Sequence, residues 1–294
     1  MIVSCSRRTD VPALYAEWIE NRLKAGYALV PWPYNRKKLT WVTLTPEAVD
    51  CLVFWTKNPR PLLDRLDAIM DLGFQCYFQF TLNPYDVDLE PHLPPKKDLT
   101  AIFQKLSRKL GSLKVDWRYD PIIIDAERTV NYHLKNLAVL GAELAPYASR
   151  LIISFVDQYR GIGPFNPLSA AEIELLAAGL GRLAASWGLP VYTCAEKIDL
   201  SPYGIYPGAC VDEAKISQIV GRPLGLKKDP GQRRDCLCRV SVDLGVYSSC
   251  SHLCAYCYAN SNKTEATSRP QNHDPNWPSL TGPLTLDQEI VRRL

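Results

Sequence analysis

The chain lacks a long apolar run, which a membrane span would need, and a large excess of charge, which a nucleic-acid partner would favour. It also shows no leader segment. No stretch of its 294 residues approaches the about 18 apolar residues of a membrane span. The formal net charge is only +3, without a polybasic run, so no acidic partner is required. The first apolar stretch, Met1–Cys5, stops before Arg7 and is too short for a signal peptide. We therefore expect a globular cytoplasmic protein with no membrane partner.

Histidine is also scarce, and this excludes several hydrolytic mechanisms. The four histidines are scattered and match no zinc-hydrolase motif. No Ser/His/Asp arrangement can be inferred from spacing, and the chain has neither internal repeats nor a low-complexity linker. The chemistry must therefore be sought in other residue types.

Cysteine, by contrast, is abundant. Without a secretory signal, clustered cysteines indicate metal ligands before disulfides. Seven of the ten cysteines lie between Cys194 and Cys257. The other three lie in apolar, strand-like runs, which predicts buried structural thiols at Cys5, Cys51 and Cys76.

Short apolar runs alternate with helical patterns along most of the chain. The predicted strands are 1–5, 51–56, 75–81, 114–119, 150–155, 190–194 and 239–247. The predicted helices are 11–25, 60–72, 97–110, 129–143 and 169–187, with inserts at 28–50 (a hairpin) and 199–235 (a loop with one helix, 212–220). This alternation predicts an α/β fold with a parallel sheet, as a complete or partial β/α (TIM-like) barrel; a doubly wound open sheet is the alternative.

We expect residues 1–260 to form a single barrel-like domain that includes a cluster-binding segment, 236–260, followed by a tail, 261–294. Polar or charged residues follow six consecutive predicted strands. In parallel β/α folds sites form at the carboxyl ends of strands, so these residues predict a polar, enzyme-like mouth.

The strongest motif is the spacing C-x3-C-x2-C at Cys250, Cys254 and Cys257. Three thiolates within eight residues converge from a loop around a metal centre, and soft thiolates select zinc or iron–sulfur clusters. A cubane bound by three ligands keeps one iron open. A structural zinc site completed by Cys236, Cys238 or His252 is the alternative.

This spacing, with Tyr256 just before the last cysteine, resembles the signature of the radical S-adenosylmethionine (SAM) superfamily. The resemblance implies a [4Fe-4S] cluster whose open iron binds SAM, an electron donor, and reductive cleavage of SAM that generates a 5′-deoxyadenosyl radical. In most of that superfamily the motif follows the first strand. Here it follows the predicted strand 239–247, so we expect a circular permutation in which this strand lies parallel to strand 1–5.

A wider resemblance covers nearly the whole chain. It rests on the stretches SRRTDVPALYAEW, VFWTKNP, YFQFTLNPY, WRYDPIII, TCAEKIDLSPYGI, KKDPGQRRDCLC and YSSCSHLCAYCYAN. These resemble the domain-of-unknown-function family 1848, which implies no known substrate. Between about 52 and 125 the pattern also resembles, more weakly, relatives of spore photoproduct lyase.

Further residues are candidates for cofactor or metal binding. Arg7, Asp10 and Glu196 follow strands and are expected to line the SAM pocket with Tyr256. Four thiols without regular spacing form a possible second site for an iron–sulfur cluster or zinc; they are Cys194, Cys210, Cys236 and Cys238. The alternative is that these four thiols are unrelated and share no metal site.

The sequence therefore predicts a radical SAM-like iron–sulfur enzyme acting on a small-molecule or nucleic-acid substrate. A non-catalytic metal-binding protein is the first alternative. A nucleic-acid repair or processing module is the second, since the hairpin interleaves Trp32, Tyr34 and Trp41 with the basic run 36–38.

Overall fold

The structure, a computed structural model, describes residues 1–158, 162–163 and 165–292. The chain forms two compact units. The first contains residues 1–77, 90–93 and 241–294, and the second contains residues 78–89 and 94–240. The predicted single domain of residues 1–260 stays a prediction, but residues 261–294 belong to the first unit.

The strands match the predicted α/β rhythm closely. In chain order they are β1 (Ile2–Ser4), β2 (Tyr27–Trp32), β3 (Asn35–Thr43), β4 (Cys51–Thr56), β5 (Cys76–Thr81), β6 (Val115–Ile122), β7 (Leu151–Phe155), β8 (Val191–Cys194), β9 (Ile205–Gly208), β10 (Val242–Asp243) and β11 (Glu289–Arg292). The helices are α1 (Val11–Leu14), α2 (Ala16–Ala25), α3 (Arg60–Leu63), α4 (Leu66–Asp71), α5 (Lys96–Leu110), α6 (Val130–Leu144), α7 (Ala170–Trp187), α8 (Glu213–Val220) and α9 (Lys263–Gln271).

The larger sheet has eight strands in the order β10-β1-β4-β5-β6-β7-β8-β9. Its registers are parallel, which confirms the α/β class with a parallel sheet. A parallel sheet flanked by helices is consistent with a partial β/α (TIM-like) fold and with the doubly wound alternative.

In the first unit, β10 pairs in parallel with β1, with Val3 opposite Val242 and Ser4 opposite Asp243. This confirms that the run before the cysteine motif lies beside the first strand, although the strand is much shorter than the predicted 239–247. The chain passes β1 closely at Gly245, where a Cβ atom would lie only 1.8 Å from Ser6 Oγ. Only glycine fits at that approach.

The predicted helix 11–25 is two helices, α1 and α2, separated at Tyr15. Tyr15 leaves the helical region at φ −139° and ψ 33°. Its hydroxyl donates to the backbone carbonyl of Ser249 at 2.8 Å, in the segment that carries the cysteine motif. A tertiary contact accompanies the break, and helical periodicity alone could not show it.

The C-terminal residues complete a smaller sheet in the first unit, in the order β11-β3-β2. Strands β2 and β3 are the predicted hairpin, and β11 pairs in parallel with β3. The basic run of the hairpin is paired with acidic side chains from the C-terminal residues: Arg36 with Glu265, Lys37 with Asp287 and Lys38 with Glu289. These pairs offset the charge on which a nucleic-acid surface would depend.

The second unit packs β5–β9 with α5, α6 and α7. Helix α7 begins at a capping box, in which the side chains of Ser169 and Glu172 each accept from the other's backbone N–H. Strand β9 was not predicted because its sequence, IYPG, has the composition of a turn. It is an edge strand, where the missing N–H of Pro207 costs no pairing.

Candidate functional site

The cysteine motif lies on a loop that follows β10; residues 248–260 are called the cysteine loop here. The N–H of Ser248 donates to the carbonyl of Ala259 at 2.8 Å and closes the loop at its base. Ser248 and Leu253 have positive φ angles of 53° and 52°. Such angles cost a non-glycine residue about 1–2 kcal/mol each, so the surrounding contacts must hold the loop in its curved form.

Those contacts come from the residues that follow β1. The hydroxyls of Thr9 and Ser249 lie 2.6 Å apart, and Thr9 also bonds the backbone of Val246. The carboxylate of Asp10 lies 2.9 Å from Nε2 of His252 and accepts from the backbone N–H of Lys57 at 2.7 Å. Asp10 therefore connects the ends of β1 and β4 to the middle of the cysteine loop.

A second polar group lies beside the thiols. The Nζ atom of Lys57 is 2.8 Å from the carboxylate of Glu90 and 2.8 Å from the hydroxyl of Tyr256, and that hydroxyl also bonds Glu90. Glu90 is almost fully buried. Sequence reasoning missed it because it lies in an irregular, proline-flanked segment with no periodic pattern. Tyr256 was predicted to contact a cofactor, and here its hydroxyl fixes the cysteine loop to Lys57.

The three thiols of the cysteine loop lie near enough to affect one another's charge. Cys250 is buried, whereas Cys254 and Cys257 are half-buried. Burial raises the pKa of Cys250, and the charges of Asp10 and of the other two thiols raise it further. Burial also raises the pKa of Cys254, to about 12, although the nearby charge of Lys57 opposes that shift. Cations near a thiol favour the thiolate, which is the form that binds metals.

Arg7 lies at the edge of this region, held by stacking and by its backbone. Its guanidinium lies 5.1 Å from the centre of the Trp55 ring. Its N–H donates to Asp243 at 3.0 Å, and its carbonyl accepts from the hydroxyl of Tyr258 at 3.2 Å. A role for Arg7 or Asp10 in binding a cofactor stays a prediction.

In the second unit, the four remaining cysteines are brought together; they are called the thiol cluster here and comprise Cys194, Cys210, Cys236 and Cys238. The Sγ atoms of Cys194 and Cys210 lie 3.3 Å apart. Cys238 interacts with the thiols of both Cys210 and Cys236. These residues come from three separate segments, so their meeting could not be read from spacing.

Polar residues at the strand ends of the second unit are also connected. Arg118 forms an ion pair with Asp120 at 2.5 Å, and Ser154 donates to the same carboxylate. Glu196 accepts from the N–H of Phe155 at 2.9 Å, and burial raises the pKa of its carboxyl to about 7. Glu196 thus belongs to the second unit, and its expected part in SAM binding stays a prediction.

Comparison with known proteins identifies the family. Residues 2–259 match the profile of the family described as Domain of unknown function (DUF1848). The chain belongs to that family. The match includes all ten cysteines and ends just beyond the last of them, so both cysteine groups lie within the DUF1848 region.

Two other comparisons add no function. No curated protein matches the DUF1848 chain. A solved structure from Bacteroides thetaiotaomicron VPI-5482, described as a proposed alpha-L-fucosidase, is 11% identical, with a TM-score of 0.26; the match covers 78% of this chain and 85% of that one. A likeness that weak carries no argument about fold or activity.

The thiols of the cysteine loop can be compared with what a [4Fe-4S] cluster, implied by the motif, would need. No group of three or more His, Cys, Asp or Glu side chains in the described ranges is arranged to hold a single metal ion. Sulfur ligands of one tetrahedral ion lie about 3.8 Å apart, whereas those of a cubane lie about 6.5 Å apart. Three neighbouring thiols beside the half-buried Lys57 fit the wider cluster by donor chemistry.

No helix in the described ranges is long and apolar enough to span a membrane.

Proposed function

We propose that this DUF1848 chain is a radical SAM-like enzyme, with a [4Fe-4S] cluster on Cys250, Cys254 and Cys257 and a circularly permuted form of the radical SAM sheet. The observation that carries the proposal is the parallel pairing of β10 with β1. The cysteine loop thereby follows a parallel strand at the carboxyl edge of the sheet, where β/α folds form their active sites.

The chain's own residues would support that chemistry in two ways. Asp10 and His252 hold the loop against the ends of β1 and β4. Lys57, fixed by Glu90 and Tyr256, contributes a positive charge that opposes the rise in the pKa of Cys254 caused by burial. The cluster, when bound, supplies the electron for reductive cleavage of SAM.

Iron analysis and a product assay test the proposal. Anaerobically purified protein should contain about four iron atoms per chain at this site and show an iron–sulfur paramagnetic signal when reduced. Reduced protein given SAM should release 5′-deoxyadenosine without any added substrate. Cys254→Ala should abolish both the iron signal and the product, because a cubane ligand is lost. Cys51→Ala, which changes a buried thiol in β4, is the matched control and should retain both.

The other outcomes identify the alternatives. Iron-loaded protein that neither binds nor cleaves SAM would contradict the enzymatic proposal and indicate a non-catalytic metal-binding protein. Colourless protein with zinc on the cysteine loop would contradict the cluster itself. Stimulation of SAM cleavage by DNA that falls steeply with salt would assign the substrate to nucleic acid.

A further inference from the structure

The thiol cluster is assembled from parts of the second unit that are distant in sequence. Cys194 ends β8, Cys210 lies just beyond β9, and the pair Cys236 and Cys238 lies in the irregular segment that follows α8. Three of the four are buried, and Cys194 is half-buried. Their sulfur atoms form a continuous line of contacts from Cys194 through Cys210 and Cys238 to Cys236.

Hydrogen-bond donors and a cation lie against two of the four sulfur atoms. The backbone N–H groups of Cys210 and Val211 both donate to Sγ of Cys238, at 3.3 and 3.4 Å. The guanidinium of Arg118, which also pairs with Asp120, donates to Sγ of Cys210 at 2.7 Å. Four thiolates around a divalent ion leave a net charge of −2, and donors at the sulfur atoms offset part of such a charge.

The segment that carries two of the thiols needs a cross-link. Between the end of α8 and the start of β10, residues 221–241 contain no helix or strand, only an isolated bridge between Lys228 and Arg239. Irregular segments of this length are uncommon inside a compact unit unless something fixes them. The contacts of Cys238 with Cys210 connect this segment to the chain beyond β9.

The backbone next to Cys194 is also constrained. Ala195 has a φ of 58°, an angle that residues other than glycine rarely adopt. This conformation turns the chain sharply after β8, at the point where the Cys194 thiol lies against Cys210. An unfavourable backbone angle held at a thiol contact is typical of a site whose geometry is fixed by what it binds.

We propose that Cys194, Cys210, Cys236 and Cys238 bind one Zn²⁺ ion in a closed structural site. The 3.3 Å between the sulfur atoms of Cys194 and Cys210 is close to the about 3.8 Å edge of a tetrahedral zinc–thiolate site. It is far below the about 6.5 Å between cysteine sulfurs of a cubane. The four thiols do not surround a common centre in the structure, so binding of the ion requires the side chains of Cys194 and Cys236 to turn toward one.

Metal analysis of the full-length protein tests this proposal. Protein purified from zinc-containing medium should carry one zinc per chain, and Cys210→Ser or Cys236→Ser should lose it. Cys76→Ser, at a buried thiol of β5, is the control and should retain zinc. The triple variant with Ala at Cys250, Cys254 and Cys257 should also retain it, so failure of the proposed function and failure of this zinc site give different results.

A second measurement on the unchanged chain covers the case in which a serine variant does not fold. Protein produced with Co²⁺ in place of zinc should show the intense visible absorption of tetrahedral thiolate cobalt, and a thiol-specific reagent should release the metal. Three results would overturn the proposal. They are a Cys194–Cys210 disulfide found by mass spectrometry without bound metal, iron and sulfide retained in the triple variant, and four thiols that react freely with no metal present.

Discussion

The two cysteine groups of this protein differ in how they are built. The cysteine loop contributes its three thiols from eight consecutive residues, two of them half-buried, beside Lys57 and Glu90. The thiol cluster takes four thiols from three segments spread over about 45 residues, three of them buried. Under the two proposals above, the loop supplies three ligands and leaves one position of its cluster open, whereas the thiol cluster supplies four ligands. Open metal sites serve chemistry and closed ones serve structure, so the proposals give different roles to the two groups.

The largest expected effect concerns the buried charges that support the thiol cluster. Asp116 accepts from Gln79 and Ser149 at 2.6 Å each and pairs with Arg150 and Lys215. Burial alone would raise the pKa of Asp116, but the two cations hold it below its usual value. Gln79 and Arg150 also bond the carbonyls of Cys210 and Ala209. This network therefore fixes the segment that carries Cys210.

Asp116→Asn should lower the free energy of unfolding by about 3–5 kcal/mol, because it removes the buried carboxylate that pairs with Lys215 and one of the two carboxylates that pair with Arg150. Urea denaturation measures the loss. The control Asp157→Asn, in an exposed pair with Arg233, should change stability by less than about 0.5 kcal/mol. If the two variants lost the same free energy of unfolding, the buried carboxylate would stabilise the second unit no more than the exposed one does. The comparison would then fail.

A smaller effect distinguishes two histidines, one in each unit. In the second unit, both ring nitrogens of His133 have partners, the Tyr119 hydroxyl at 2.8 Å and the Ile123 carbonyl at 2.7 Å. In the first unit, His273 packs against aromatic rings, and its ring nitrogens have no hydrogen-bond partner among the described residues. Burial lowers the pKa of His273 to about 4.

The unfolded chain takes up this proton near pH 6.5, whereas the folded chain does so only near pH 4. Between these values the unfolded state binds more protons, so stability must fall as the pH falls, by about 2–3 kcal/mol for His273. His273→Phe should flatten the pH dependence of the urea midpoint in that window. If His273→Phe kept the pH dependence of the urea midpoint seen in the wild-type protein, groups other than His273 would be its cause.

The smallest effect compares two helix N-termini. Helix α7, in the second unit, begins with the reciprocal bonds of Ser169 and Glu172, whereas α9, in the first unit, begins with a single bond from the Glu265 N–H to the Asn262 side chain at 3.1 Å. Ser169→Ala should cost about 1 kcal/mol in thermal or urea unfolding. Ser186→Ala, near the other end of α7, should cost less than about 0.5 kcal/mol. A negligible cost at Ser169 would show that packing alone fixes this helix.

Much of the fold could be predicted because hydrophobic periodicity is a local property. The run CLVFWT is β4 at the predicted residues, and α5, α6 and α7 agree with prediction to within one residue at either end. The failures have non-local causes. The first helix breaks at Tyr15, whose hydroxyl bonds Ser249. The last strand of the tail, β11, exists only because β3 offers it an unpaired edge.

The sequence alone indicated the cysteine loop, since three thiols at this short spacing are typical of a loop that wraps a metal centre. It also determined the parallel sheet and the buried thiols at Cys5, Cys51 and Cys76, which the structure confirms. Only the tertiary structure decided that β10 lies beside β1 and that Glu90 meets Lys57. It also decided that the four thiols of the second unit meet, because their segments become neighbours only when parallel strands align. Contacts between residues far apart in sequence depend on the packing of the whole unit, and no local pattern encodes them.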